Sequence, residues 1–271
     1  MYHLERIHSL DQPNLAPYRT LKRPREHREH GLFVAEGDKV VHRLLASPLA
    51  VISVLLPEAR LAEYAPALQN RSEDISVYCV TERRALEALV GFTLFQGVMA
   101  IAKIPSPTPL PELLARRSKS GFLVAADGLT SAENIGVLVR NCVAFGAQAL
   151  LVGETCASPY LRRAVRNSMG AVFELPVIET ANLAQAITQL RQHGIRCVAA
   201  HPHTEQSELP TTDLRADLCV VFGAEGHGVS PAVLAACDAA VAIPIAPTVD
   251  SLNVASAAAI FLYEASRQRR G

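Results

Sequence analysis

From about residue 119 the chain alternates between short apolar runs and amphipathic stretches of helical period. GFLVAADG (121–128), ALLVGE (149–154), IRCVAA (195–200), DLCVVFG (217–223) and AAVAIPI (239–245) each hold an unbroken apolar core bounded by glycine, proline or charge. Strands without polar alternation are buried on both faces, which is the mark of a parallel sheet covered on each side by helices. The intervening segments predict those helices. One ends at Phe145, with Gly146 as its stop. NLAQAITQLRQH (182–193) is amphipathic and ends at Gly194. Ser230-Pro231 opens another, serine as N-cap and proline in the first helical position. An Ala-rich helix starts near Asn253 and finishes the chain. The predicted fold class is α/β: a mainly parallel sheet with helices on both faces.

Residues 1–103 read differently, as a smaller α/β domain. LFVAEG, VISVLL and QGVMAIAK predict strands; DKVVHRLLA and RRALEALVG predict helices. PSPTPLPELLARRSKS follows, with three prolines in five residues, and is assigned as a linker over 104–118. The catalytic or ligand-binding domain is then 119–271.

Composition narrows the function. Lysine plus arginine and aspartate plus glutamate both number 26, so any affinity for nucleic acid must come from local clusters. Arg19, Lys22, Arg23, Arg25 and Arg28 face one acid, Glu26, and Arg162, Arg163 and Arg166 form a second cluster. Aromatics make up 5% of the chain and tryptophan is absent, so a nucleic acid, if bound, is expected to be recognised by shape and backbone rather than by base stacking. The start, MYHLERIHSL, has no apolar core of a signal peptide, and no apolar run is long enough to span a membrane. Six scattered cysteines without a CxxC pair predict reduced thiols in a cytoplasmic protein. The close histidine pairs His27/His30 and His201/His203 have no cysteine nearby, so no metal is expected.

Three segments break the rules of a plain core. In SAENIGVLVRNCVAFGA, Ile135, Leu138, Val139, Cys142 and Phe145 share an apolar helix face, Arg140 points roughly opposite, and Asn134 and Asn141 lie two turns apart on one flank. Taken alone, Arg140 there reads better as a solvated charge on an amphipathic helix. In VFGAEGHGV, Gly223, Gly226 and Gly228 follow a buried strand and precede a helix. This is neither the dinucleotide fingerprint nor a P-loop, and Glu225 would repel a phosphate. A tight turn, or a ligand with cationic or donor groups, fits. In IPIAPTVDSLNVASAAAI, Ser251 or Asn253 suits an N-cap, but Leu252 is an apolar residue in a polar turn.

The order and spacing of these segments resemble the three motifs of the SpoU/TrmH family, RNA ribose 2′-O-methyltransferases of the SPOUT class. They are Asn134-x-Gly136 with Arg140; Gly223-x-Glu225-Gly226-x-Gly228; and Ile243-Pro244 with Ser251-Leu252-Asn253-Val254. RRAVRNSMGA (162–171) also looks like the family, and the N-terminal part looks like the L30e-like substrate-binding domain that many members carry. Ile245 and Pro247 depart from the methionine and glycine common in the third motif.

The resemblance implies a C-terminal trefoil knot that forms an S-adenosylmethionine pocket, and a homodimer. It implies cofactor contacts at Gly223, Ile243 and Leu252, with Leu252 covering the adenine. It implies catalytic roles for Arg140, Asn134, Glu225, Ser251 and Asn253. RNA contacts are expected from Lys22, Arg23, Arg25, Arg28, Arg162, Arg163 and Arg166. A guanidinium stays protonated, so Arg140 suits stabilising a developing alkoxide or clamping a phosphate better than acting as a base. The substrate implied is structured RNA, ribosomal or transfer. The alternative is a non-catalytic RNA-binding protein that keeps the fold.

Overall fold

The computed structural model describes residues 2–9, 11–21, 24–81, 87, 97–116, 121–202, 204 and 207–270. Lys22 and Arg23, and nearly all of the predicted helix RRALEALVG, lie outside the described residues. The chain forms two compact units: residues 1–106 with 160–174, and residues 107–159 with 175–271.

The first unit is built on a mixed sheet of five strands: β1 (Tyr2–Arg6), β2 (Leu32–Glu36), β3 (Val51–Pro57), β4 (Ile75–Val80) and β5 (Met99–Lys103), in the order β1-β4-β3-β5-β2. β1, β4 and β3 run parallel, and β5 runs antiparallel to both its neighbours. Helices α1 (Ala16–Arg19), α2 (Pro24–Glu29), α3 (Asp38–Ala46) and α4 (Leu61–Gln69) accompany it. Tyr18, Val34, Leu55, Tyr78, Met99 and Ile101 share one apolar cluster.

A segment from far down the chain completes this unit. Helix α7 (Arg162–Asn167) packs on β2. Phe33 of β2 meets Tyr160 and Phe173 at tilted angles, with ring centroids 5.6 and 5.7 Å away. Glu36, at the end of β2, is only 1% exposed. Its carboxylate pairs with Arg162, and Arg166 lies 3.6 Å from its other oxygen. A buried carboxylate needs such a partner, because desolvation of a lone charge costs several kcal/mol.

The second unit has a six-stranded sheet in which every pairing is parallel. Its strands are β6 (Phe122–Ala126), β7 (Ala149–Val152), β8 (Val177–Glu179), β9 (Arg196–Ala200), β10 (Leu218–Phe222) and β11 (Ala239–Val241), in the order β11-β9-β10-β6-β7-β8. Its helices are α5 (Leu110–Arg116), α6 (Ala132–Phe145), α8 (Leu183–Gln192), α9 (Pro231–Ala236) and α10 (Val254–Arg270). α5 lies inside the Pro-rich stretch. Leu123, Ala125, Cys219 and Val221 cluster with Leu183, Ile187 and Leu190 of α8 and Val233 of α9. Phe222 instead meets Phe261 of α10, ring centroids 5.9 Å apart. Neighbours on a strand thus bury on opposite sides, which is why the strand sequences show no polar alternation.

Local chemistry sets the helix ends. Ser131 accepts the Asn134 N–H at the start of α6, and Gly146 takes a left-handed conformation (φ 82°) at its end. Ser230 precedes α9 as predicted, but its hydroxyl makes no capping bond. Its backbone N–H donates to the buried Asp127 at 2.7 Å. All six cysteines are free. Among the described residues no helix is long and apolar enough to cross a membrane.

Candidate functional site

The carboxyl ends of β9, β10 and β11 open on a cavity of about 390 Å³. Open parallel sheets bind their ligands at this end of the strands, and the volume falls in the range of small-molecule sites. His201 follows β9, Gly223 follows β10 and Ile243 lies just beyond β11; all three line the cavity, with Leu252 and Asn253 at the approach to α10.

The glycine loop closes on itself. Ala224 and Gly228 exchange both backbone hydrogen bonds at 2.9 Å, leaving Glu225, Gly226 and His227 at the tip. Gly223 cannot be anything else: a Cβ there would overlap the backbone of Gly228 and Val229. Gly226 and Gly228 have φ of 91° and 68°, conformations in which L side chains are strained.

Glu225 at this tip gathers the two other segments. Its Oε1 accepts from Nδ2 of Asn134, in the first turn of α6, and from Nδ2 of Asn253, each at 2.7 Å. The two asparagines also approach each other, Asn253 Nδ2 to Asn134 Oδ1, at 3.4 Å. The oxygen of the Asn253 side chain accepts the Ala255 N–H at 2.9 Å, so this residue is an N-cap and a site residue at once. The donors that Glu225 meets are therefore two neutral amides.

Ser251 and Leu252 line the cavity, Leu252 at 36% exposure. Pro247 sits in a turn closed by Val249 N–H to Ala246 C=O at 3.0 Å, in the second position, which proline's fixed φ favours. Arg140 is exposed on α6 and makes no hydrogen bond or ion pair among the described residues. It does not line the cavity.

The structure thus brings Asn134, Glu225 and Asn253 into contact, and sets Gly223, Ile243, Ser251 and Leu252 around one cavity. It leaves Arg140 outside that contact. Among the arginines, Arg162 and Arg166 lie against Glu36, and Arg163 and Arg28 are exposed. Arg25 lies in α2. His201 and His227 also line the cavity; in the sequence His201 stands out only as half of a histidine pair without a cysteine nearby.

Residues 121–263 match the model of the SpoU rRNA Methylase family. An uncharacterized tRNA/rRNA methyltransferase of Mycobacterium bovis is 32% identical over 95% of this chain and 90% of its own length. A 23S rRNA (guanosine-2′-O-)-methyltransferase of Shewanella oneidensis is 33% identical over 86% and 96%. The AdoMet-bound rRNA methyltransferase of Sinorhizobium meliloti superposes with a TM-score of 0.84 at 26% identity, covering 97% of this chain and 98% of that one. The SpoU methyltransferase AviRb of Streptomyces viridochromogenes, in complex with AdoMet, gives 0.81 at 25% identity, covering 96% and 98%.

Proposed function

Since the chain belongs to the SpoU rRNA Methylase family, and is an S-adenosylmethionine-dependent RNA 2′-O-methyltransferase, we propose that its acceptor is a ribose of ribosomal RNA. We further propose that Glu225, Asn134 and Asn253 frame the reaction site. The observation that carries this reading is the single carboxylate oxygen of Glu225 holding two amides from distant segments beside the cavity. The choice of ribosomal RNA is supported by the Shewanella relative, whose name assigns it a guanosine ribose of 23S rRNA.

The lining fits the cofactor. Ile243, Leu252 and Phe261 offer apolar walls for a nucleobase, and the missing side chain of Gly223 lets the glycine loop close against Gly228 and Val229 at the cavity wall. Gly223, Ile243 and Leu252 would hold the adenosine. When bound, S-adenosylmethionine supplies a methyl group activated by its sulfonium.

The remaining work is alignment and charge. The Arg140 guanidinium stabilises the ribose oxygen as the hydroxyl proton passes to water, or fixes the adjacent phosphate. Asn253 and Asn134 are held in fixed orientation by Glu225, and Ser251 contributes a hydroxyl at the same rim. Arg28 and Arg163, with the basic stretch around residues 22–25, contact the RNA backbone. The chain acts as a homodimer in the cytoplasm. Ile260 and Tyr263 on α10 are 40% and 55% exposed, and Tyr263 meets Phe145 of α6 edge-on at 6.1 Å; a second copy would cover this apolar strip. The chain path around the cavity is a trefoil knot in this reading.

The test is methyl transfer from labelled S-adenosylmethionine to ribosomal RNA and, separately, to transfer RNA. Digestion and mass analysis then identify the nucleoside, with Arg140→Ala as control. A 2′-O-methylated nucleoside from the ribosomal pool that vanishes in the control supports the proposal. Label only in transfer RNA corrects the substrate. Cofactor binding without transfer to either pool favours an RNA-binding role.

A further inference from the structure

Asn134 and Asn141 lie seven residues apart on α6, two turns along one stripe of the helix. Asn134 reaches Glu225. Asn141 reaches elsewhere: its Nδ2 donates to the backbone carbonyl of Ala255, in the first turn of α10, at 2.9 Å. The N–H of that same Ala255 donates to Oδ1 of Asn253. Asn253 in turn donates to Glu225, which also receives Asn134. The hydrogen bonds therefore form a closed circuit that leaves α6 at Asn134, crosses the glycine loop and the start of α10, and returns to α6 at Asn141. Arg140 is the residue beside that return point.

Satisfaction of polar groups does not explain Asn141. The Ala255 carbonyl lies inside a helix that runs to Arg270, so the helix ladder already supplies it a donor. Asparagine is also a poorer helix former than alanine, by up to about 0.7 kcal/mol, and its amide is half-buried here. What the bond does is geometric. It fixes the first turn of α10, and with it Asn253, in register with the helix that carries Asn134 and Arg140.

We propose that Asn141 is a positioning residue for methyl transfer, acting through Ala255 and Asn253 to hold the site carboxylate–amide cluster in register with Arg140. The proposal rests on the methyltransferase reading above. It predicts an effect on the chemical step rather than on cofactor binding, and a dependence on Asn253.

The experiment compares Asn141→Leu, Asn141→Gln, Asn253→Ala and the double variant Asn141→Leu/Asn253→Ala. Melting temperature, cofactor Kd by calorimetry, and kcat and KM for RNA are measured for each. Asn141→Leu should lower kcat about tenfold, with cofactor Kd and KM changing less than about threefold. Asn141→Gln, which keeps an amide donor, should recover part of that loss. The double variant should be no more than about twofold slower than Asn253→Ala alone, because one residue acts through the other.

A kcat for Asn141→Leu within twofold of the parent would overturn the proposal. So would a loss that multiplies fully with that of Asn253→Ala, or one accounted for by weaker cofactor binding. Amide hydrogen exchange at Ala255 and Ala257 gives a reading independent of turnover. Asn141→Leu should speed it about tenfold while the far end of α10 stays protected. If the parent protein transfers no methyl group, the functional reading fails, and unchanged exchange in Asn141→Leu separately defeats the positioning role.

Discussion

Asn253 donates a hydrogen bond to Glu225 with one end of its side chain and caps helix α10 with the other. The two halves of the amide can be separated by substitution, because aspartate keeps the capping oxygen and lacks the donor. Asn253→Asp should therefore retain the cap while setting a second carboxylate against Glu225, and like charges at this range raise a carboxyl pKa. The expected result is a melting temperature that rises as pH falls from 8 to 5 relative to the parent, together with a large loss of methyl transfer at pH 8. Paired thermal melts and transfer assays across that range check it.

Glu225→Ala leaves the Asn134 and Asn253 amides without their shared acceptor. A hydrogen bond to a charged group contributes about 1.5–3 kcal/mol, so kcat should drop about 10- to 100-fold. Glu225→Gln retains a carbonyl oxygen and should lose less. Single-turnover rates with saturating cofactor read this directly.

Gly223→Ala should abolish cofactor binding by calorimetry, because the added methyl has nowhere to go but into the backbone of Gly228 and Val229. Gly194→Ala is the contrast. Gly194 has open space around it, so strain from its φ of 75° is the whole penalty and the cavity is untouched. Its melting temperature should fall modestly with cofactor affinity unchanged.

Arg162→Ala strips the buried Glu36 of its main partner and should cost about 3 kcal/mol of stability, as breaking buried ion pairs does. Arg163→Ala should weaken RNA binding, with a shallower dependence on salt. Urea unfolding and RNA titrations at two salt concentrations distinguish the two arginines.

Burial pushes the His27 imidazole below its ordinary value, partly offset by its hydrogen bond with the Pro17 carbonyl and by Glu26, while Arg162 and His30 lower it further. The unfolded chain then takes up a proton near pH 6.5 that the folded chain resists. Stability from this group is complete above that pH and is lost as pH falls through it. Urea midpoints from pH 8 to 5 should decline less steeply in His27→Gln.

Much of the second unit was readable in advance, for a reason visible in its strands. Runs such as Leu218–Phe222 are apolar on both faces, so they announce a covered parallel sheet without reference to the rest of the chain. The helix ends at Gly146 and Ser230 are local signals too. β1 was missed because YHLER is an edge strand with mostly exposed side chains and no apolar pattern. β8 was missed because it has only three residues. The membership of 160–174 in the first unit depends on Glu36 and Phe33, well over a hundred residues away, and no local pattern encodes such a pairing. At the site, the motifs marked Asn134, Glu225 and Asn253 one by one. That a single oxygen joins them could not be read, because their separations of 91 and 28 residues collapse only in the folded sheet.

The split composition of the first unit bears on how the protein is made. When residue 106 leaves the ribosome, β2 still lacks the arginines that neutralise Glu36 and the rings of Tyr160 and Phe173 that cover Phe33. Those arrive only after another 54 to 67 residues, at about 5–20 residues per second, so the nascent chain waits several seconds with an unpaired acid and a bare aromatic face. Vectorial synthesis therefore cannot finish this unit before it starts the next, and the two must mature together.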